Sequence, residues 1–197
     1  MPTRGDADGA RAAYRRAVGS GDARAATEAL DRLVGLLREQ GDADGARAAF
    51  RRAIDSGHPH EAPYALVELG CLLREQGDVD GARAAFQLAA DSDDASEAAY
   101  AMRELGHLLR EQGDVDGARA AYRRAIDSGQ LSQAASAMLD LGHMLGELGD
   151  TDGARAAFQQ AAGSQDPSLA WLAIHYLQNW PWDSGSPPVT GTTPGAT

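Results

Sequence analysis

Paired aspartates in a repeated turn are the first residues of this sequence whose types and spacing could do chemistry. Asp78 and Asp80 lie in the segment GDVDG, and the same pattern occurs at four other places. Asp-x-Asp-Gly resembles part of a calcium-binding loop, but such a loop needs further oxygen ligands and a bidentate glutamate at its end. An aspartate at the start of a helix caps the first backbone N–H groups. We therefore interpret these aspartates as helix caps and predict no calcium site.

Metal-ligating side chains recur at a spacing of 36 residues. Cys71, His107 and His143 share this register, and His175 falls near it in the last helical segment. Ligands of one transition metal must converge to within about 2.0–2.3 Å of the ion. Equivalent positions of neighbouring helices are about 10 Å apart. A shared ion is therefore excluded, and we predict no metal site.

Nucleophilic catalysis also lacks support. Ser128, Ser132 and Ser164 fall at expected helix ends, and no nucleophile elbow or glycine-rich phosphate loop occurs. His58 and His60 fall in an expected loop, where solvation explains them. All 18 cationic side chains are arginine, so a mechanism that needs a lysine is excluded. The sequence predicts a protein that is not an enzyme and uses no cofactor.

Charge and cysteine content restrict the classes of partner and the compartment. A net charge of −11 repels phosphate backbones and anionic lipids, so we expect no nucleic-acid partner and no membrane partner. Cys71 is the only cysteine, so no internal disulfide forms and nothing points to an oxidising compartment. No apolar run approaches the roughly 20 residues that span a membrane. We expect a cytoplasmic protein.

The elements that position these residues come from an internal repeat. The segment GDxDGARAA begins at residues 5, 41, 77, 113 and 149, each 36 residues after the last. The stretches between the copies also match, as LVGLLREQ, LGCLLREQ, LGHLLREQ and LGHMLGEL. Repeats of this length contain one supersecondary unit that buries its apolar face only by stacking on its neighbours.

The first element of the repeat, at residues 113–129, is predicted to be a helix with both ends marked. Asp114 caps its first turn, Asp116 lies where the helix dipole favours a negative charge, and Gly129 supplies the left-handed stop. Apolar residues fall at i, i+3, i+4, i+7 and i+8, which makes one buried stripe. They are Ala118, Ala121, Tyr122, Ala125 and Ile126.

The second element is predicted to be a helix at residues 132–148, with Ser132 as its cap. Gly142 leaves room for a neighbouring helix to approach. Its apolar stripe consists of Ala134, Met138, Leu141, Leu145 and Leu148. Two such helices joined by a short turn form an antiparallel hairpin.

These spacings resemble the tetratricopeptide repeat over residues 5–180. Each copy has a Leu-Gly pair and a large apolar residue, then a turn glycine, a small residue, an aromatic residue and an alanine. In one copy they are Leu141, Gly142, Leu145, Gly149, Ala154, Phe158 and Ala161. The unit is two residues longer than the usual 34, and the family's early aromatic residue is replaced by Leu30, Leu66, Met102 and Met138. Sel1-like repeats share the longer period, but they place the extra residues in the turn within the hairpin, so that resemblance ranks second.

The resemblance implies an all-α fold, an α-solenoid of antiparallel helix hairpins that form a right-handed superhelix of about ten helices. We predict one helical repeat domain at residues 1–180, with four full repeats and half a repeat at each end. Residues 181–197 are rich in Pro, Gly, Ser and Thr without periodicity, which predicts a disordered tail.

Differences among the copies indicate candidate binding residues, because a residue needed for stacking should recur in every copy. The variable positions of the second helix lie on one face, which by resemblance lines a concave groove for peptide segments. Tyr and Arg dominate binding energies at interfaces. The candidate partner-binding residues are Tyr64, Val67, Cys71, Arg74, Tyr100, Arg103, His107, Arg110, Ser136, Leu139 and His143. Drift at unimportant surface positions would give the same pattern.

The function that follows is a protein-protein interaction scaffold that binds a peptide or protein segment in this groove. The alternatives are a structural element that self-associates through its end helices and a sensor segment of a larger signalling protein. Partner identity lies beyond the sequence. The carboxylate clamp of chaperone-binding relatives needs paired Lys and Asn residues, and this chain has no Lys.

Overall fold

A computed structural model describes residues 4–182 of the chain, and all regular structure within that range is α-helical. The predicted all-α fold and the predicted number of helices are confirmed. The helices are α1 (Arg4–Ser20), α2 (Ala23–Glu39), α3 (Ala43–Asp55), α4 (Glu61–Glu75), α5 (Val79–Ala90), α6 (Ala95–Glu111), α7 (Val115–Asp127), α8 (Leu131–Glu147), α9 (Thr151–Ala162) and α10 (Pro167–Asn179). None of these helices is long and apolar enough to cross a membrane.

Three residues of the GDxDG turn at residues 113–117 have structural roles at the start of a helix. Gly113 has φ +76°, a left-handed conformation that favours glycine. The carboxylate of Asp114 accepts a hydrogen bond of 3.0 Å from the N–H of Gly117. A Cβ on Gly117 would lie 2.4 Å from that carboxylate, so the cap and the second glycine require each other. The predicted caps are therefore confirmed at Asp114 and at Asp42, Asp78 and Asp150, which repeat the contact. The prediction is wrong for the first copy, because residues 5–9 lie inside α1.

The cap predicted for α8 is wrong. It begins at Leu131 behind Gln130, whose side chain makes no capping hydrogen bond, and Ser132 lies inside the first turn. Asp22, Asp94 and Asp166 cap other helices of this type, and the 36-residue register places Gln130 at the equivalent position. Ser132 is therefore two residues too late to serve as the cap.

Antiparallel neighbours pack through an aromatic ring that fills a notch at a glycine. A Cβ on Gly70 would lie 2.6 Å from the ring of Phe86, and a Cβ on Gly142 would lie 2.6 Å from the ring of Phe158. Both rings are completely buried. The predicted stripe of α8 is buried at Ala134, Leu141 and Leu145. Two members differ, since Met138 is half-buried and Leu148, at the helix end, is 52% exposed.

The chain divides into two compact units, Met1–Leu108 and Leu109–Thr197. In the first unit α1 packs on α2, α2 on α3, α3 on α4 and α4 on α5, and α2 also contacts α4. In the second unit α7 packs on α8, α8 on α9 and α9 on α10, and α8 also contacts α10. The predicted tail lies outside the described residues from residue 183 onward.

Aromatic side chains close the end of the second unit. The indole of Trp180 is 8% exposed, and a Cβ on Gly146 would lie 2.2 Å from it. Gly146 stands where the earlier copies have Arg38, Arg74 and Arg110, so the loss of that arginine makes room for the indole. Trp182 falls within the predicted tail, but it belongs to this packing because its Nε1 donates to the carbonyl of Leu177 at 3.0 Å.

His143 is enclosed by this aromatic group. Its ring lies 4.3 Å from Tyr176, 5.4 Å from Trp180 and 5.5 Å from Phe158, measured between centroids, each in an edge arrangement. Burial lowers the pKa of His143, and the charge of Arg110 lowers it further, whereas Asp140 and Glu147 oppose the shift. The neutral imidazole is therefore favoured in the folded unit.

The glycine notch predicts opposite effects for two Gly-to-Ala substitutions in the first unit. Gly70→Ala forces the ring of Phe86 to move, and we expect a loss of about 1–3 kcal/mol in the free energy of unfolding. Gly35→Ala, where a Cβ meets nothing within 4 Å, should add about 0.5–1 kcal/mol by removing a helical glycine. Urea denaturation of both full-length variants followed by circular dichroism measures the difference. Equal stabilities would refute the notch.

The position of His143 predicts an acid-sensitive second unit. Because its folded pKa is depressed, the unfolded chain takes up the proton more readily, and stability is lost as the pH falls below the ordinary value of 6.5. His143→Phe preserves a ring but cannot be protonated. We expect the wild-type melting temperature to fall relative to that of the variant between pH 7.5 and pH 5. Replacing the exposed His175 by Phe is the matched control, and parallel pH curves for wild type and His143→Phe would contradict the burial effect.

Candidate functional site

Helices α2, α4 and α6 of the first unit carry most of the candidate binding residues on equivalent positions. We call this surface the A-helix face and define it by residues 28, 31 and 35 of α2, residues 64, 68, 71 and 74 of α4, and residues 97, 100, 103, 104 and 107 of α6. Gly35 is exposed, and a Cβ there would meet nothing within 4 Å. The face is therefore open beside α2.

Tyr64 connects two helices of this face. Its half-buried phenol donates a hydrogen bond to the carboxylate of Asp31 on α2. Burial raises the pKa of Tyr64, and the hydrogen bond to Asp31 and the charges of Glu68, Asp31 and Glu97 raise it further. The phenol is thus held protonated, and its ring stands among three carboxylates.

Tyr100 occupies the equivalent position on α6 and has a different neighbour. The guanidinium carbon of Arg103 lies 5.1 Å from the ring centroid of Tyr100, a distance at which a cation is attracted to the face of an aromatic ring. Nη2 of the same arginine lies 3.2 Å from Oε1 of Glu104. Burial and the charges of Glu104, Cys71 and Glu68 raise the pKa of Tyr100 to about 12, whereas Arg103 opposes the shift.

Glu104 is the centre of the ionic contacts on the face. It is only 6% exposed, and besides Arg103 it pairs with Nη1 of Arg74 at 3.1 Å. Two guanidiniums therefore neutralise one buried carboxylate, as burial of a charge requires. Arg74 and Arg103, both candidate partner contacts, are thus held in place by the chain itself.

Glu68 is the contrasting carboxylate. Burial raises its pKa, and the charges of Asp31, Glu104 and Glu75 raise it further, while Arg38 opposes the shift. Arg38 is committed elsewhere, since its Nη2 lies 2.5 Å from Oε2 of Glu75. Within the part of the chain that the structure describes, no cationic nitrogen lies within 4.0 Å of Glu68. Among the described residues this half-buried carboxylate therefore has no ion-pair partner.

Glu97 adds a further carboxylate at the start of α6. Its Oε2 is buried without a hydrogen-bond partner, and burial together with the charges of Asp94 and Glu68 raises its pKa. In the preceding repeat the equivalent Glu61 accepts a hydrogen bond of 2.6 Å from the hydroxyl of Tyr14. Phe50, the counterpart of Tyr14, has no hydroxyl to donate, which explains the unsatisfied oxygen.

Two candidate binding residues are inaccessible, which corrects their assignment. Val67 is 0% exposed and Leu139 is 5% exposed. Both stand in the register of Arg103, where the long arginine side chain reaches the surface and the shorter apolar side chains stay inside. The residue at this register is therefore part of the core in some copies and reaches the surface in another, and its variation does not indicate a set of surface contacts.

Cys71 and His107 lie half-buried on the same face. Burial and the charges of Glu104, Glu68 and Glu75 raise the pKa of the Cys71 thiol to about 12, against the effect of Arg74. The thiol is therefore protonated and a poor nucleophile or metal ligand. Among residues 4–182 there is no group of three His, Cys, Asp or Glu side chains that could hold a metal ion.

The remaining candidates lie in the second unit, in a different setting. Arg110 pairs with Glu147, with Nη2 2.9 Å from Oε2, and this repeats the spacing of Arg38 and Glu75. Ser136 is half-buried on α8. His143, described above, is covered by rings from α9, α10 and the residues after α10. Within the first unit the structure thus brings together Tyr64, Cys71, Arg74, Tyr100, Arg103 and His107, and these three residues belong to the second unit.

The carboxylates are the part of the face that sequence reasoning missed. Glu68, Glu97 and Glu104 were not among the candidates, although a Tyr-x-x-x-Glu spacing occurs at residues 64–68 and again at residues 100–104. Residues four apart share a helix face, so this spacing could have indicated that each tyrosine has a carboxylate beside it.

Comparisons with solved structures agree with the fold. The crystal structure of BtubC (BKLC) from P. vanneervenii matches with a TM-score of 0.69 and 19% identity, over 87% of this chain and 80% of that chain. The crystal structure of MamA matches with a TM-score of 0.59 and 21% identity, over 88% of this chain and 94% of that chain. No curated protein sequence matches the chain.

A family model for the tetratricopeptide repeat matches at residues 3–57, 32–97, 67–132 and 103–170. These overlapping segments cover most of the chain and follow the helix hairpins described above. The family supports a general role as a protein-interaction scaffold. On these grounds the chain belongs to the tetratricopeptide repeat family.

Proposed function

We propose that this protein is a non-catalytic scaffold that binds a peptide segment of a partner protein on the A-helix face. The observation that carries the proposal is the pair Tyr64 and Tyr100, which stand half-exposed at equivalent positions beside carboxylates that the chain does not fully neutralise. Tyrosine contributes strongly to interface energy. The open space at Gly35 leaves room for a bound segment.

The charges of the face favour a basic partner. Asp31, Glu68, Glu97 and Glu104 supply four carboxylates, and the two guanidiniums within reach both pair with Glu104. Complementary charge steers association and selects partners. A net charge of −11 over the chain acts in the same direction and argues against nucleic acid and anionic membranes as partners. We place the protein in the cytoplasm, which suits its single cysteine.

The serines considered as candidate nucleophiles make hydrogen bonds within turns. The hydroxyl of Ser128 donates to the carbonyl of Ala125 at 2.7 Å, and that of Ser164 accepts from the N–H of Asp166 at 3.1 Å. Both serines therefore stabilise turns. With the Cys71 thiol protonated, the described residues favour a binding role.

Occlusion of the face tests the proposal. Gly35→Phe places a ring in open space on the A-helix face, so the chain should fold normally while partner binding weakens about tenfold or more. Gly9→Phe is the matched control, because a Cβ there also meets nothing within 4 Å but the residue lies on α1. Partners captured with the full wild-type chain are identified, and their affinities for both variants are measured by calorimetry. Unchanged affinity of every partner for Gly35→Phe would refute the proposed site.

Self-association is a second candidate function, favoured by the surface of α10. Trp171 is 65% exposed and Ile174 is 43% exposed. One repeat earlier, the residue in the register of Trp171 is Ala135, which is 3% exposed. Large apolar side chains thus stand where the preceding repeat has a covered position.

A second copy of the chain is the occupant proposed for this surface. We expect light scattering of the wild-type chain to show a mass that rises with concentration, and Trp171→Ser to remove the rise. Leu88→Ser, which alters another exposed apolar residue, should leave it unchanged. A concentration-independent monomer would exclude this candidate.

A further inference from the structure

Two successive copies of the repeat show the same pair of residues with and without a cation. On α6, Tyr100 and Glu104 are four residues apart and hold a guanidinium between them. That guanidinium belongs to Arg103, 5.1 Å from the ring centroid and 3.2 Å from the carboxylate. On α4, Tyr64 and Glu68 have the same spacing, but the residue between them is Val67, which is buried.

The carboxylate of Glu68 therefore lacks both cations that its counterpart has. Glu104 receives Arg103 from its own helix and Arg74 from α4. For Glu68 the residue in the register of Arg103 is a valine, and the residue in the register of Arg74 is Arg38. Arg38 instead pairs with Glu75. A half-buried carboxylate without a counter-charge is costly, and a bound cation would remove that cost.

The surroundings of Glu68 add three features that suit a cation. The phenol of Tyr64 is oriented by its hydrogen bond to Asp31, so one ring and two carboxylates border the same space. The charge of Glu97 raises the pKa of Tyr64, and the charge of Glu68 raises the pKa of Glu97. The Oε2 atom of Glu97 is buried and has no hydrogen-bond partner. An aromatic ring with unpaired carboxylate oxygens around it is a receptor for a guanidinium.

We propose that Tyr64, Glu68 and Asp31 form an arginine subsite, which an arginine of a basic peptide occupies as Arg103 occupies the equivalent place on α6. The subsite rests on the proposed function, because it names the chemistry of the segment bound on the A-helix face. Arginine fits better than lysine, since its planar guanidinium stacks on a ring and offers two parallel donors to a carboxylate. Val67, unlike Arg103, supplies no guanidinium of its own.

The first test uses peptides of known composition and the full chain. The probe is an acetylated and amidated nonapeptide of Gly, Ala and Ser with one central arginine, and its matched form replaces that arginine by citrulline, which keeps the shape without the charge. Titration into isotope-labelled protein should shift the amide signals of Asp31, Tyr64 and Glu68 most. The affinity of the citrulline peptide should be lower by a factor of about ten or more, since a charged hydrogen bond is lost. Equal binding of the two peptides would overturn the subsite.

Substitutions in the protein also test the arginine subsite. Glu68→Gln should weaken the arginine peptide about tenfold, while Glu111→Gln, which makes the same change of charge at an exposed residue, should leave affinity unchanged. Val67→Arg supplies an internal guanidinium and should abolish peptide binding. Because Val67 is buried, the melting curve of the Val67→Arg variant is recorded in parallel. If that variant does not fold, the result for Glu68→Gln tests the subsite. Retained affinity in Glu68→Gln would overturn the proposal.

Failure of the subsite and failure of the binding face are distinguishable. If Glu68→Gln has no effect while Gly35→Phe still blocks a captured partner, the arginine subsite is wrong and the face stands. If Gly35→Phe also has no effect on any partner, the proposed function fails with it.

Discussion

The fit of an aromatic ring into a glycine notch is the contact on which the rest of this structure depends. Helix α4 has no side chain at Gly70, and the ring of Phe86 on α5 fills that space with no exposure to solvent. The same contact joins Gly142 and Phe158 in the second unit. Burial of such a ring contributes about 1.5–3 kcal/mol, and a helix pair held this way presents its other faces at fixed angles to its neighbours. At the same register of α2 the residue is Val34, so this contact belongs to the pairs α4 with α5 and α8 with α9.

The periodicity of the sequence predicted most of this scaffold, because local rules and packing rules agree in every copy. Asp114 was expected to cap α7 and does, and Gly129 was expected to be left-handed and has φ +78°. The error at Ser132 arose because Gln130 replaces the aspartate that caps α2, α6 and α10, a register at which α4 also lacks an aspartate and has His58. The role of Gly146 was missed for a related reason. A change from arginine to glycine gives no hint of the indole of Trp180 that needs the space.

The candidate site was harder to predict from the sequence than the fold. Variation among copies at one register does not show whether the side chain there is buried or exposed. Arg103, Val67 and Leu139 share a register, yet only the arginine has a side chain long enough to leave the core. The recurring arginines behaved differently again. Arg38 with Glu75, and Arg110 with Glu147, form ion pairs between neighbouring helices. Such partly exposed pairs contribute only about 0–1 kcal/mol each, so they fix the positions of side chains more than they stabilise the fold.

The residue at the register of Val67 and Arg103 thus determines whether a copy supplies a guanidinium to the glutamate on the same helix. Where the register holds arginine, as at Arg103, the tyrosine and glutamate of that copy are occupied from within the chain. Where it holds valine, as at Val67, the tyrosine and glutamate of that copy are half-buried and have no guanidinium from this register. The scaffold tolerates both states because the stabilising contacts lie on other faces of the helix, at Gly70 and Phe86. A change at this register can therefore add or remove a guanidinium beside the tyrosine and glutamate, while the packing of Gly70 against Phe86 stays the same.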